Sequence, residues 1–93
     1  MESGTYFEET IFNAIVIASR VVEDKNKAEI LLKMALGMVE LTVQAERSDV
    51  GLNITKAMIR MCERFNLDVL EVSYWLGICH FKWVREHGLN PSC

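Results

Sequence analysis

Proline is all but missing from this chain of 93 residues, and glycine is sparse. The single proline, Pro91, stands two residues from the end, and there are five glycines. No segment alternates apolar and polar residues at period two, so the sequence offers no pattern for a half-buried strand, whereas apolar residues recur with helical period throughout. Long apolar runs are missing too. FNAIVIASRVV and VSYWLGICHF fall well short of the about 20 residues that cross a bilayer. The amino terminus, MESGTYFEET, is acidic and lacks the uninterrupted apolar stretch of a secretory signal. Three cysteines, Cys62, Cys79 and Cys93, have no framework spacing and imply free thiols in a reducing cytoplasm. There is no excess of positive charge: ten basic residues stand against thirteen acidic ones, for a net charge of −3. The field of a small acidic protein does not draw the whole molecule to nucleic acid or anionic lipid.

Signatures of chemistry are also missing. There is no glycine-rich phosphate loop and no G-x-S-x-G elbow. No C-x-x-C, H-E-x-x-H or E-x-x-H spacing occurs. His80 and His87 lie seven residues apart, about 10.5 Å along a helix, too far to share one ion unaided. Acidic pairs such as Glu8-Glu9 and Glu23-Asp24 fall at helix ends, where they complement the dipole or face water. The expectation is no enzyme, no catalytic residue, no metal and no cofactor.

What the chain has in abundance is apolar helix. Fifty-one per cent of its residues are apolar and mean hydropathy is +0.14, high for a domain too small to build a thick core. Capping boxes open at Thr5 with Glu8, Asn26 with Glu29 and Asp68 with Glu71. SDVGLN reads as a loop from which Asn53 caps a further helix, and Gly88 closes the last one. The result is an all-α single domain over 1–93. Its four helices fall at roughly 6–22, 27–47, 54–65 and 69–87, arranged as two antiparallel hairpins, with an irregular tail at 88–93.

At about 100° per residue the helices differ in role. The first places Phe7, Ile11, Ala14, Ile15, Ala18, Val21 and Val22 on one face, with Phe12 and Val16 among Glu9, Ser19, Arg20 and Glu23. The third buries Ile54, Ala57, Met58, Met61, Cys62 and Phe65. The second is apolar except for one stripe of Glu29, Lys33, Glu40, Gln44 and Arg47, so it needs neighbours on more than one side. The fourth has two apolar faces, Val69, Val72, Leu76, Cys79 and Trp83 on one and Leu70, Tyr74, Phe81 and Val84 on the other. Trp75 lies in a charged arc with Glu71, Lys82, Arg85 and Glu86. Helices two and four therefore read as the centre of the fold, Trp83 as core and Trp75 as an interface anchor. A faint repeat aligns KMALGMVEL (33–41) with SYWLGICHF (73–81), placing Gly37 against Gly77. Mid-helix glycines at matched positions point to close helix packing and to a duplicated hairpin.

MCERFNLDVLEVSYW supplies the other reading. A small residue at Cys62, Asn66 at the turn, Leu67 after it and Val72 in the following helix resemble the helix-turn-helix family over roughly twenty residues. The resemblance implies DNA contact through residues 54–76, with Lys56, Arg60 and Arg64 as a phosphate-contacting row. Its recognition helix would present Asp68, Val69, Leu70, Ser73, Tyr74 and Gly77, none of them an Arg, Lys, Asn or Gln to read bases. DNA binding is therefore the alternative. The leading expectation is a small cytoplasmic module that binds protein, as a homodimer or higher homo-oligomer, or takes a partner's amphipathic helix beside Tyr74, Trp75 and Phe81. Its interface is expected to comprise Leu70, Tyr74, Trp75, Phe81 and Val84, with Phe12 and Val16 of the first helix.

Overall fold

The computed structural model describes residues 9–88, and the expected capping box at Thr5 and Glu8 lies outside them. It is all-α. Among the described residues there are four helices and no strand: α1 (Glu9–Val21), α2 (Lys25–Gln44), α3 (Ser48–Phe65) and α4 (Leu70–His87). They form a helical bundle in which α3 touches the other three, α2 packs on all of them, and α1 and α4 do not meet.

Local chemistry sets the boundaries. Asp24 opens α2 by accepting the Asn26 N–H at 3.0 Å, two residues before the expected Asn26 cap. Asp68 accepts the Leu70 N–H at 3.0 Å from one residue outside the cap position of α4, which is held by Val69 without a side-chain bond, so the expected cap is displaced by one residue. Asn66 and Gly88 adopt left-handed conformations just past α3 and α4. At Asn66 the following Leu67 N–H returns to the Cys62 carbonyl at 2.8 Å, the Schellman closure. The end of α2 is built identically, with Arg47 N–H on the Thr42 carbonyl at 2.8 Å, yet the left-handed residue there is Glu46. With neither Gly nor Asn to mark it, that end falls three residues earlier than its composition suggests.

α3 differs most from expectation. It begins at Ser48, so SDVGLN is its first turn and a half, not a loop, and Asn53 is an exposed mid-helix residue. Gly51 is helical for a packing reason. A Cβ there would lie 2.5 Å from Thr42 Oγ1 and 2.8 Å from Cys79 Sγ, so α2, α3 and α4 approach through the missing side chain. The first turn is capped from a distance. Glu86 of α4 accepts from Ser48 Oγ at 2.9 Å and from the Ser48 N–H at 3.4 Å, filling a place that Arg47, the residue before the helix, leaves without a side-chain bond. Asp49, also in the first turn, is held by Arg47 through two 3.2 Å contacts that keep its carboxyl below the usual range.

With those added turns α3 buries nine of its eighteen residues, whereas α4 fully buries only Val72 and Cys79. The centre is therefore α3 with α2, and α4 lies outside it. α1 corrects a second expectation. Its inward residues are Phe12, Ile15 and Ser19, flanked by half-buried Val16, Ala18 and Val22, while Ile11, Ala14 and Val21 are exposed. Ser19 is buried because its hydroxyl donates to the Val16 carbonyl at 2.6 Å, which satisfies it without solvent. Thr42 and Thr55 are buried by the same device, on the Val39 and Leu52 carbonyls.

Gly51→Ala should therefore destabilise despite alanine's better helix propensity. Overpacking a fixed contact costs roughly 1–3 kcal/mol against a propensity gain of about 1 kcal/mol. Thermal unfolding, followed at a concentration low enough to keep the chain monomeric, should show a loss of several degrees. Gly37→Ala, where a Cβ meets nothing within 4 Å, should show a gain. Equal gains at both positions would mean that α2, α3 and α4 do not meet at residue 51.

Candidate interaction surface

The matched glycines do not mark close packing within the chain. A Cβ on Gly37 or Gly77 has nothing within 4 Å, and both residues are exposed. Each instead sits in the middle of an outward apolar row. On α2 the row is Ile30, Met34, Gly37 and Leu41; on α4 it is Leu70, Tyr74, Gly77 and Phe81. The six large side chains are between 51 and 74% exposed. The steps are four, three and four residues in both rows, the spacing that keeps one line of side chains along a helix. Ala35, Val39 and Thr42 on α2, and Val72 and Cys79 on α4, are buried on the opposite side. At about 100° per residue each row points away from the core that its own helix helps to form. The aligned segments 33–41 and 73–81 thus correspond in both what they bury and what they expose.

Between the rows runs a groove of about 310 Å³, lined by Lys33, Leu36, Gly37 and Glu40 of α2 and by Glu71 and Trp75 of α4. Trp75 is half-buried and packs on the hydrophobic core within the chain. The charged residues of its arc, Glu71, Lys82, Arg85 and Glu86, are exposed as expected, and Glu86 reaches the start of α3; Trp75 alone among them turns partly inward. Its ring meets Tyr74 edge-on with centroids 5.8 Å apart. Trp83, expected in the core, is only half-buried; it stacks on His87 at 4.5 Å, and His87 Nδ1 lies 3.0 Å from the Trp83 carbonyl. Of the other residues expected at an interface, Leu70, Tyr74 and Phe81 are exposed, Val84 and Val16 are half-buried, and Phe12 is in the core. Arg85 lies over the Phe81 ring at 5.5 Å, a cation–π contact that leaves the ring edge outward. Met34 and Leu41, missed as surface residues, were legible in the alignment of the two segments but not in helix-by-helix hydrophobicity; Ile30, also missed, lies just before the aligned segment.

The basic row is found on the far side of α3. Lys56 and Arg60 line a cleft of about 350 Å³ between α1 and α3 with Asn13, Asn53 and Arg20, which sequence reasoning left out of the set. Arg64 continues the row and donates to the Val22 carbonyl at 2.6 Å.

Cys62 and Cys79 are free and buried. Burial pushes both thiols up, that of Cys79 to about 11, with Glu86 adding to it; Asp68 and Glu63 add to the rise at Cys62. A thiol raised in this way is a poor nucleophile at neutral pH. Among the described residues no three His, Cys, Asp or Glu side chains gather as a metal site, and no helix is long and apolar enough to cross a membrane. No family model, curated protein or solved structure matches the chain.

In a Cys93→Ser variant, a thiol reagent at pH 8 should therefore leave both remaining cysteines largely unlabelled in the folded protein and label both in denaturant. Rapid native-state labelling of Cys79 would contradict its burial against Gly51 of α3.

Proposed function

We propose that the protein is a small helical protein–protein interaction module of the reducing cytoplasm, acting through the outward faces of α2 and α4. One observation carries this reading. Two helices each expose a continuous row of large apolar side chains, where monomeric proteins rarely expose contiguous apolar patches beyond a few hundred Å². Tyr, Phe and Met are enriched in such interfaces, and Tyr74 meets edge-on a half-buried Trp75 that packs on the core.

Leu70→Ser, Tyr74→Ser and Phe81→Ser should each keep the helical content of the wild type, because each side chain is already exposed within the chain. They should lower association, read as mass by light scattering across micromolar concentrations, and lower hydrophobic-dye binding. A wild-type chain that stays at 10.7 kDa and binds no dye would remove the basis of the interaction reading.

A second reading, DNA contact by the helix-turn-helix-like residues 54–76, draws support from Arg20 joining Lys56 and Arg60 around one cleft. Against it, the face that would enter the major groove carries Leu70, Tyr74 and Phe81. Titration with mixed duplex DNA at low salt should give no salt-sensitive binding. Submicromolar affinity that is lost when Lys56, Arg60 and Arg64 are changed to Glu would reverse the ranking.

A further inference from the structure

The rows on α2 and α4 raise the question of what covers them, and the charges beside the α2 row select an occupant. Ile30, Met34, Gly37 and Leu41 occupy the a and d places of a heptad pattern, which puts Lys33 and Glu40 at the two g places along one edge. Both are exposed, and neither enters an ion pair among the described residues. In an antiparallel pairing of two such helices, g faces g. We propose that the partner of this surface is a second copy of the chain, docked α2 against α2 in antiparallel register about a two-fold axis beside Gly37.

Three features fit one register. Ile30 meets Leu41 of the second copy, and Met34 covers the gap at Gly37 of the second copy, where the absent Cβ leaves a hole for a flexible side chain. Lys33 meets Glu40 of the second copy, and the two-fold repeats the pair. A parallel pairing offers none of this. It stacks Gly37 on Gly37 and sets Lys33 and Glu40 against Met38 and Ala45. The α4 row borders the other side of the same groove through Glu71 and Trp75, neighbours of Leu70 and Tyr74. It has the same spacing, so the same two-fold sets Leu70 against Phe81 of the second copy and Tyr74 against Gly77. At more than half of about 200 Å² per large side chain, the six exposed residues contribute roughly 600–700 Å² per copy. That is most of the about 800 Å² per partner in an interface of standard size. This inference rests on the interaction reading above and adds the identity, register and symmetry of the partner.

The test is sedimentation equilibrium on the full chain, with circular dichroism to confirm that each variant folds. The wild type should form a dimer of twice 10.7 kDa. Lys33→Glu and Glu40→Lys should each weaken it at least about tenfold, because each sets like charges together twice across the two-fold, and added salt should narrow the difference. An equimolar mixture of the two variants should regain an affinity close to that of the wild type, since the charge changed in one then meets the opposite charge in the other. Single variants as tight as the wild type, or a mixture no tighter than either alone, would overturn the antiparallel α2 pairing. The interaction reading would then still stand if Phe81→Ser dissociates the assembly. A wild type that is monomeric at 100 µM would overturn the second copy as partner, and dye binding by that monomer would keep the interaction reading for a different protein.

Discussion

Three helices share the space of one missing side chain at Gly51. Thr42 of α2 and Cys79 of α4 reach to within 2.5 and 2.8 Å of where its Cβ would be, and neither can withdraw easily. The Thr42 hydroxyl is bound to its own helix at the Val39 carbonyl, and Cys79 is fully buried. One turn earlier, Ser48 is tied to Glu86, which fixes the far end of α4 on the start of α3. These contacts set how α2 and α4 lie on α3, and so which sides of them are left outside.

The exposed rows follow from that geometry. A chain of 93 residues has little interior to share, and α3 takes the largest part of it. α2 and α4 each bury one side against α3 and carry a second apolar side that no described element covers. The matched rows around Gly37 and Gly77 give the faint internal repeat a physical meaning. The two segments bury equivalent positions, Val39 and Cys79, and expose equivalent ones, Met34 and Tyr74. Burial on one side supports the fold, and burial of the other is available only through a partner. Stability and assembly are then coupled, because anything that binds the native surface also favours the native state.

Where sequence reasoning misplaced residues, polarity was taken for exposure. Ser19 is buried because its hydroxyl bonds to a carbonyl one turn back, which no hydrophobicity count registers. With Ser19 inside, α1 turns so that Phe12 is core and Ile11 and Val21 face out. Trp75 was assigned to a charged arc whose Glu71, Lys82, Arg85 and Glu86 are indeed exposed, yet the large indole reaches past them to pack on the core. Gly51 was read as a loop residue because glycine in a short polar stretch has two physical meanings, a turn or a close approach, and only the neighbours distinguish them.

The sequence by itself determined the all-α class, the number of helices and most of their ends. Helical period, Asn66 and Gly88 are local signals whose chemistry is complete within a few residues. It also determined that α4 carries two apolar faces and that 33–41 and 73–81 are alike. Only the tertiary structure decided which face of α1 turns inward, that α3 with α2 forms the centre, that Glu86 caps a helix 38 residues away, and that Gly37 and Gly77 lie in the open. Each of those depends on atoms distant in sequence meeting at a few ångströms, and periodicity fixes the angle of a residue around its helix but not what stands opposite.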